Sequence, residues 1–189
     1  MSRLVFGLAI FFAVHSVRIV APAWRDRMVE RLGAGAWKIG YSLASLAGFL
    51  LILSGYAAAR AEPVLLWSPP VWTRHLALLL MLPVFPLLVA TYVPSRLKAA
   101  AKHPMLVAIK FWALAHLLAN GMLADVVLFG SFLAWAVVDR ISVKRRPAPA
   151  TPAARPSIVN DAVVILAGLA LYALFLMVLH TRLFGVAPL

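Results

Sequence analysis

The 189-residue chain contains no cysteine and only six carboxylates. Without thiols it has no disulfide framework, no thiolate metal site and no cysteine nucleophile. With so few acidic groups it is also short of the carboxylate ligands and bases that metal-assisted hydrolysis uses. Charge of either sign is scarce, at 13% of residues, while 64% of the chain is hydrophobic and the mean hydropathy is +0.95. Globular proteins stay near about half apolar residues, because their surfaces must meet water. This excess requires an apolar exterior as well as an apolar interior, which is the condition of a helical bundle in lipid. The fold class is therefore an all-α integral membrane protein, read as a single transmembrane domain over residues 1–189.

Six apolar runs can be marked, at residues 4–20, 37–59, 76–93, 104–119, 122–138 and 162–183. Each approaches the roughly 20 residues that cross a hydrocarbon core of about 30 Å, the fourth being slightly short. The stretch 104–138 is too long for one span, and Asn120-Gly121 is the turn signal that divides it into a tight helical hairpin. Pro83 and Pro86 remove backbone donors from the third run and predict a kink near its middle, serving packing or widening a cavity. Arg3, the first run and Ala21-Pro22-Ala23 imitate a secretory signal. His15 and Arg18 interrupt the approach to that site and Pro22 suits cleavage poorly, so the first run is read as a retained span.

Basic residues set the orientation. Arg18, Arg25, Arg27, Arg31 and Lys38 fall in the first connection, Arg96, Lys98 and Lys102 in the third, and Arg140, Lys144, Arg145, Arg146 and Arg155 in the fifth. The opposite side holds only Arg3, Arg60, Arg74 and Arg182. Cytoplasmic odd connections follow, with both termini on the outer side; the expected location is the inner (plasma) membrane of a bacterium, where that outer side is the periplasm. A net charge of +12 can signal nucleic acid, but charge dispersed through short connections leaves no module to enter a groove, so that partner is not expected. Residues 141–160, with Pro147, Pro149, Pro152 and Pro156, read as a cytoplasmic linker that tethers the sixth span and can hold anionic lipid headgroups. Asn160-Asp161 reads as the cap of the last helix.

An ionisable side chain at membrane depth needs a partner, an escape to the interface or a function. Counting helical rise, His15 lies about 8 Å below the cytoplasmic boundary and His116 about 18 Å into the fourth span. Neutral imidazole keeps one donor and one lone pair. Two histidines from different helices can clamp a haem iron; alternatively, each hydrogen-bonds a neighbouring helix. Trp112, His116 and Asn120 recur at four-residue spacing and share a face, suited to a flat cofactor or to plain packing. Asp125 is a candidate acceptor for the second nitrogen of His116. Arg18, three residues after His15, is placed to neutralise a haem propionate or to anchor the helix end. Lys110 can snorkel to the surface; His75 and His180, near the outer boundary, are assigned no role. Gly48 with Gly55, and Gly130 with Ala134, offer close helix contacts within the chain or with a partner.

His15-Ser16 with Arg18, Trp24-Arg25, Trp37-Lys38, Tyr41-Ser42-Leu43, His103-Pro104-Met105 and Trp112-Ala113-Leu114-Ala115-His116 occur in this order. As a set they resemble the NnrU family across the first 140 or so residues, the last span adding little. That family is associated with denitrification, through nitrite and nitric oxide reduction, and with the related zeta-carotene isomerase, a haem b membrane protein that isomerises a cis double bond of a polyene. The resemblance implies that His15 and His116 occupy the positions of the isomerase's two iron ligands. Three residues before the second ligand the isomerase has a cysteine, where this chain has Ala113, so a ligand switch through a thiolate does not carry over. A rival resemblance is Lys102-His103-Pro104-Met105, similar to the Arg-His-Pro segment of small membrane methyltransferases that bind S-adenosylmethionine, with Asp139 and Arg140 as the later acidic and basic pair. A third reading is a non-enzymatic assembly factor for a membrane reductase. The sequence leaves open whether a haem here would exchange electrons or act on a lipophilic substrate.

Overall fold

The structure is a computed structural model and describes residues 1–146 and 155–188. Its helices are α1 (Ser2–Val20), α2 (Pro22–Ala61), α3 (Val71–Met81), α4 (Val84–Tyr92), α5 (Arg96–Ala101), α6 (Pro104–Ala119), α7 (Leu123–Lys144), α8 (Ile158–Leu174) and α9 (His180–Phe184), with a π turn at Phe175–Leu179 joining the last two. No strand occurs among the described residues, only an isolated bridge between Leu65 and Met122. The all-α fold expected from composition is the one observed. Five helical stretches among the described residues are long and apolar enough to cross a membrane: Ser2–Val20, Pro22–Ala61, Val71–Tyr92, Leu123–Lys144 and Ile158–Phe184. The sixth apolar helix, α6, has 16 residues.

These elements form two packed units, Met1–Trp67 with Met122–Ser131, and Ser68–Gly121 with Phe132–Leu189. In the first, α1 runs antiparallel to the later part of α2 along a seam of glycines. A Cβ added to Gly7 would lie 2.6 Å from the Ile52 nitrogen, one on Gly48 would lie 2.9 Å from the Phe11 nitrogen, and one on Gly55 would fall on the Leu4 backbone. The two backbones therefore touch, and Leu4, Leu8 and Ile52 are buried along the seam. Other α2 residues, Leu46, Phe49, Leu50 and Leu53, are exposed, an apolar exterior that only lipid makes favourable. Gly48 and Gly55 thus serve packing within the chain, whereas nothing among the described residues lies within 4 Å of a Cβ added to Gly130.

The first connection is more helical than its basic composition suggests. Proline suits the first turn of a helix, where its missing N–H is not needed, and α2 starts at Pro22. Helix continues past Arg25, Arg27 and Arg31 until Gly33, whose φ of 81° and ψ of 151° break it. Beyond the break Trp37 meets Trp24 edge-on, with ring centroids 5.9 Å apart.

In the second unit the expected kink divides α3 from α4 at Leu82-Pro83. Packing fills it. The Tyr172 hydroxyl donates to the Leu78 carbonyl at 3.0 Å, and a Cβ on Gly168 would meet Pro86 Cα at 2.5 Å, so α8 lies directly on the proline turn. Val84, Leu87 and Ala108 form the core there, with Phe85, Phe111 and Trp112 packed around them. The Asn120-Gly121 turn ends α6 as expected, and Trp112 against Phe132 shows residues 132–144 of α7 returning along it.

The cap of α8 is Ser157, whose side chain accepts from the Asn160 nitrogen, in place of Asn160-Asp161. Those two residues reach outward instead. Asn160 Nδ2 donates to the Pro94 carbonyl at 2.8 Å, and Asp161 accepts from the Arg96 backbone at 2.8 Å while pairing with its guanidinium. The expected linker is shorter than 141–160 at both ends, because α7 continues to Lys144 and α8 begins at Ile158. Pro147, Pro149 and Pro152 lie outside the described residues.

Overpacking a close backbone contact costs about 1–3 kcal/mol. Gly48→Leu and Gly55→Leu should each lower the melting temperature of the detergent-solubilised protein, while Gly130→Ala leaves it unchanged or slightly higher, as scanning fluorimetry would record.

Candidate functional site

His15 lies on α1 in the first unit, half-buried. Its Nδ1 is 2.7 Å from the carbonyl of Phe11, one turn back. A carbonyl can only accept, so Nδ1 carries the proton, and in the neutral ring the lone pair resides on Nε2. The Phe11 ring stacks on the imidazole with centroids 4.0 Å apart and planes 22° apart, and Tyr41 of α2 stands at 5.3 Å. One turn beyond Tyr41, Ser45 Oγ is buried with no hydrogen-bond partner among the described residues. Arg18 is exposed in the last turn of α1, one turn after His15.

His116 belongs to the second unit, on α6, and repeats the arrangement. Its Nδ1 is 2.9 Å from the carbonyl of Trp112, again one turn back, and the two rings lie 5.4 Å apart. Asn120, the C-cap, returns to the same turn by donating its backbone N–H and its side-chain amide to the His116 carbonyl, each at 2.9 Å. The shared face of Trp112, His116 and Asn120 is thus a hydrogen-bonded one. Ala113, three residues before His116, is fully buried.

The carboxylate support expected for His116 is replaced by the Trp112 carbonyl. A helical i−4 carbonyl is within reach of Nδ1 whatever the tertiary packing, while Asp125 has other work at the start of α7. Buried at 1% exposure, Asp125 accepts from the Tyr56 hydroxyl at 2.5 Å and from the Met122 backbone nitrogen at 3.2 Å. The Arg60 guanidinium lies over the Tyr56 ring, 5.9 Å from its centroid. This Tyr56–Asp125 pair joins α2 to α7 within the first unit and was not evident from the sequence, where the two residues are 69 positions apart.

A second group of chemistry-bearing residues gathers in the second unit, where α6 begins and α7 ends. His103 is the N-cap of α6. Burial pushes its pKa below the usual histidine value; Arg140, Arg146 and Lys102 push the same way, against Asp139. Asp139 is itself paired with Arg146 at 3.1 Å. The structure therefore does bring together His103, Asp139 and Arg140, the residues singled out by the methyltransferase resemblance, but in a cationic field that opposes a sulfonium. His75 is exposed on α3, and His180 donates locally to the Val186 carbonyl at 2.7 Å. Among the described residues no three His, Cys, Asp or Glu side chains form a metal-binding group. That bears on three-ligand sites of the zinc type, since a haem needs only one or two axial ligands from the protein.

The fold and these sites define a polytopic helical membrane protein with two histidines held at a fixed ring nitrogen. The chain belongs to the NnrU family, whose description, NnrU protein, matches residues 3–188. No curated protein and no solved structure gives a significant match.

The lowered His103 pKa has a consequence for stability. Unfolded, the ring titrates at about 6.5; folded, it titrates lower, so the unfolded chain binds more protons between the two values. Stability from this group is complete above about pH 6.5 and is lost as the pH falls through the folded value. Melting curves between about pH 7 and about pH 5 should fall in the parent protein, and His103→Gln should reduce that slope; an identical slope in the variant would contradict the assignment.

Proposed function

We propose that this NnrU protein is a haem b protein of the bacterial inner membrane, with His15 and His116 as the iron ligands and Arg18 as a propionate partner. Its role is in nitrite and nitric oxide metabolism or in an isomerase-like reaction on a lipophilic substrate, with a membrane reductase as the natural partner in the first case. The dispersed basic connections support periplasmic termini. The observation that carries the reading is the common setting of the two rings. Each donates from Nδ1 to the carbonyl four residues earlier, which fixes the tautomer and leaves the lone pair on Nε2, the donor that iron requires. Each also follows an aromatic residue by four positions, Phe11 and Trp112, so a ring system accompanies both ligands.

When bound, haem would supply one-electron exchange or a Lewis-acidic iron. The chain's own contribution is orientation and electronics. Hydrogen bonds from Nδ1 to carbonyls hold each imidazole at one rotation and raise the basicity of Nε2. With alanine at position 113 and no cysteine anywhere in the chain, the protein offers imidazole and no thiolate. Arg18 places a guanidinium one turn from His15, where it can offset a carboxylate charge.

Protein purified in detergent from haem-replete cells should carry a sharp Soret band and resolve narrow visible bands on reduction. His15→Ala and His116→Ala should each release haem or change its spin state, whereas His75→Ala should do neither. A colourless preparation, or three variants with equal effects, would overturn the assignment.

A further inference from the structure

The second unit has an unusual charge inventory. Its only carboxylates are Asp139 and Asp161, and each is bound to an arginine, Asp139 to Arg146 and Asp161 to Arg96. No acidic side chain of this unit remains for Arg140. Yet Arg140 Nη1 is buried and has no hydrogen-bond partner among the described residues. A buried guanidinium nitrogen without an acceptor is costly, because its charge has lost water and gained nothing in return.

Apart from Asp139, which Arg146 holds, the groups around it are cationic or neutral. His103 and Lys110 are seven residues apart on α6, two turns along one face, and both lie within the electrostatic reach of Arg140. Lys144 follows Arg140 by one turn of α7 and also acts on Lys110. Arg146 is turned to Asp139 and to Ser142 Oγ, at 3.1 and 2.9 Å. The only carboxylate nearby is thus already neutralised, and the facing sides of α6 and α7 leave several positive charges against one another. Such an arrangement is repulsive by itself and is relieved by an anion with several acceptor oxygens.

We infer that Arg140, with Lys144, Lys110 and His103, forms a binding site for a phosphate-type anion at the end of the α6–α7 hairpin. A planar guanidinium recognises phosphate oxygens through paired N–H donors, and ammonium groups add charge without fixed geometry. The phosphate can belong to an anionic phospholipid headgroup or be free in solution. A headgroup is the closer fit, because the site is carried on two apolar helices and lies beside one of the two most basic connections. It uses neither of the two histidines proposed as haem ligands.

The test uses the full-length protein, delipidated in a neutral detergent, with the melting temperature read against added phosphatidylglycerol, phosphatidylcholine, inorganic phosphate, or sodium chloride at matched ionic strength. Phosphatidylglycerol should stabilise the parent protein and phosphatidylcholine should not. In Arg140→Gln the half-saturating phosphatidylglycerol concentration should rise about tenfold or more. Lys144→Gln, at an exposed position that tolerates substitution, should raise it by a smaller factor, and this variant carries the test if the first does not fold. Arg182→Gln should match the parent. Stabilisation by inorganic phosphate that competes with the lipid would support the site and make its source soluble phosphate; phosphate without effect would support it as a headgroup site. Equal shifts with phosphatidylcholine or sodium chloride, or undiminished shifts in Arg140→Gln and Lys144→Gln, would overturn it.

Discussion

Lipid offers no hydrogen bonds, so every place where a membrane helix bends or ends must be answered by the chain itself. That constraint accounts for several of the polar contacts among the described residues. The turn at Pro83 has the Tyr172 hydroxyl on the Leu78 carbonyl. The break after α4 has Lys98 Nζ on the Thr91 carbonyl at 2.7 Å, Asn160 on the Pro94 carbonyl and Ser95 capping α5. Asn120 closes α6, and Asp125 with Tyr56 opens α7.

The two histidines obey the same constraint from the donor side. In each, a ring N–H that would be unsatisfied in hydrocarbon is given to a helical carbonyl one turn away. That hydrogen bond lies within one helix turn. Its chemical result is that the remaining nitrogen is an electron pair donor with a defined direction. Satisfying the backbone rule and preparing a ligand are one event here.

Much of this was readable from residue order. The apolar runs, the Asn120-Gly121 turn, the kink at Pro83 and the shared face of Trp112, His116 and Asn120 all follow from spacing, because period and punctuation are local properties. The same regularity held a signal that spacing alone did not bring out: Phe11 precedes His15 by four residues as Trp112 precedes His116. What spacing does not give is the identity of a partner. Asp125 looks free to support His116 until Tyr56, far away in the chain, is found to hold it. Asn160-Asp161 looks like a cap until Pro94 and Arg96 are seen to use both side chains. The basic first connection looks like a loop because charge marks water contact, yet a helix lying at an interface is also charged. The charge imbalance around Arg140 becomes apparent only once the two acidic residues of its unit are seen to be taken.

The brevity of α6 has a consequence for the surrounding lipid. Its 16 residues rise about 24 Å, several ångströms less than an average hydrocarbon core of about 30 Å. A helix shorter than its solvent draws the two leaflets together beside it, or lets headgroups dip toward its ends. Both ends are equipped for that, with Lys102 and His103 at one and Asn120 at the other. The protein should therefore favour thin or easily compressed regions of its membrane, and acyl-chain length becomes a variable that tunes how firmly the helix bearing His116 is seated.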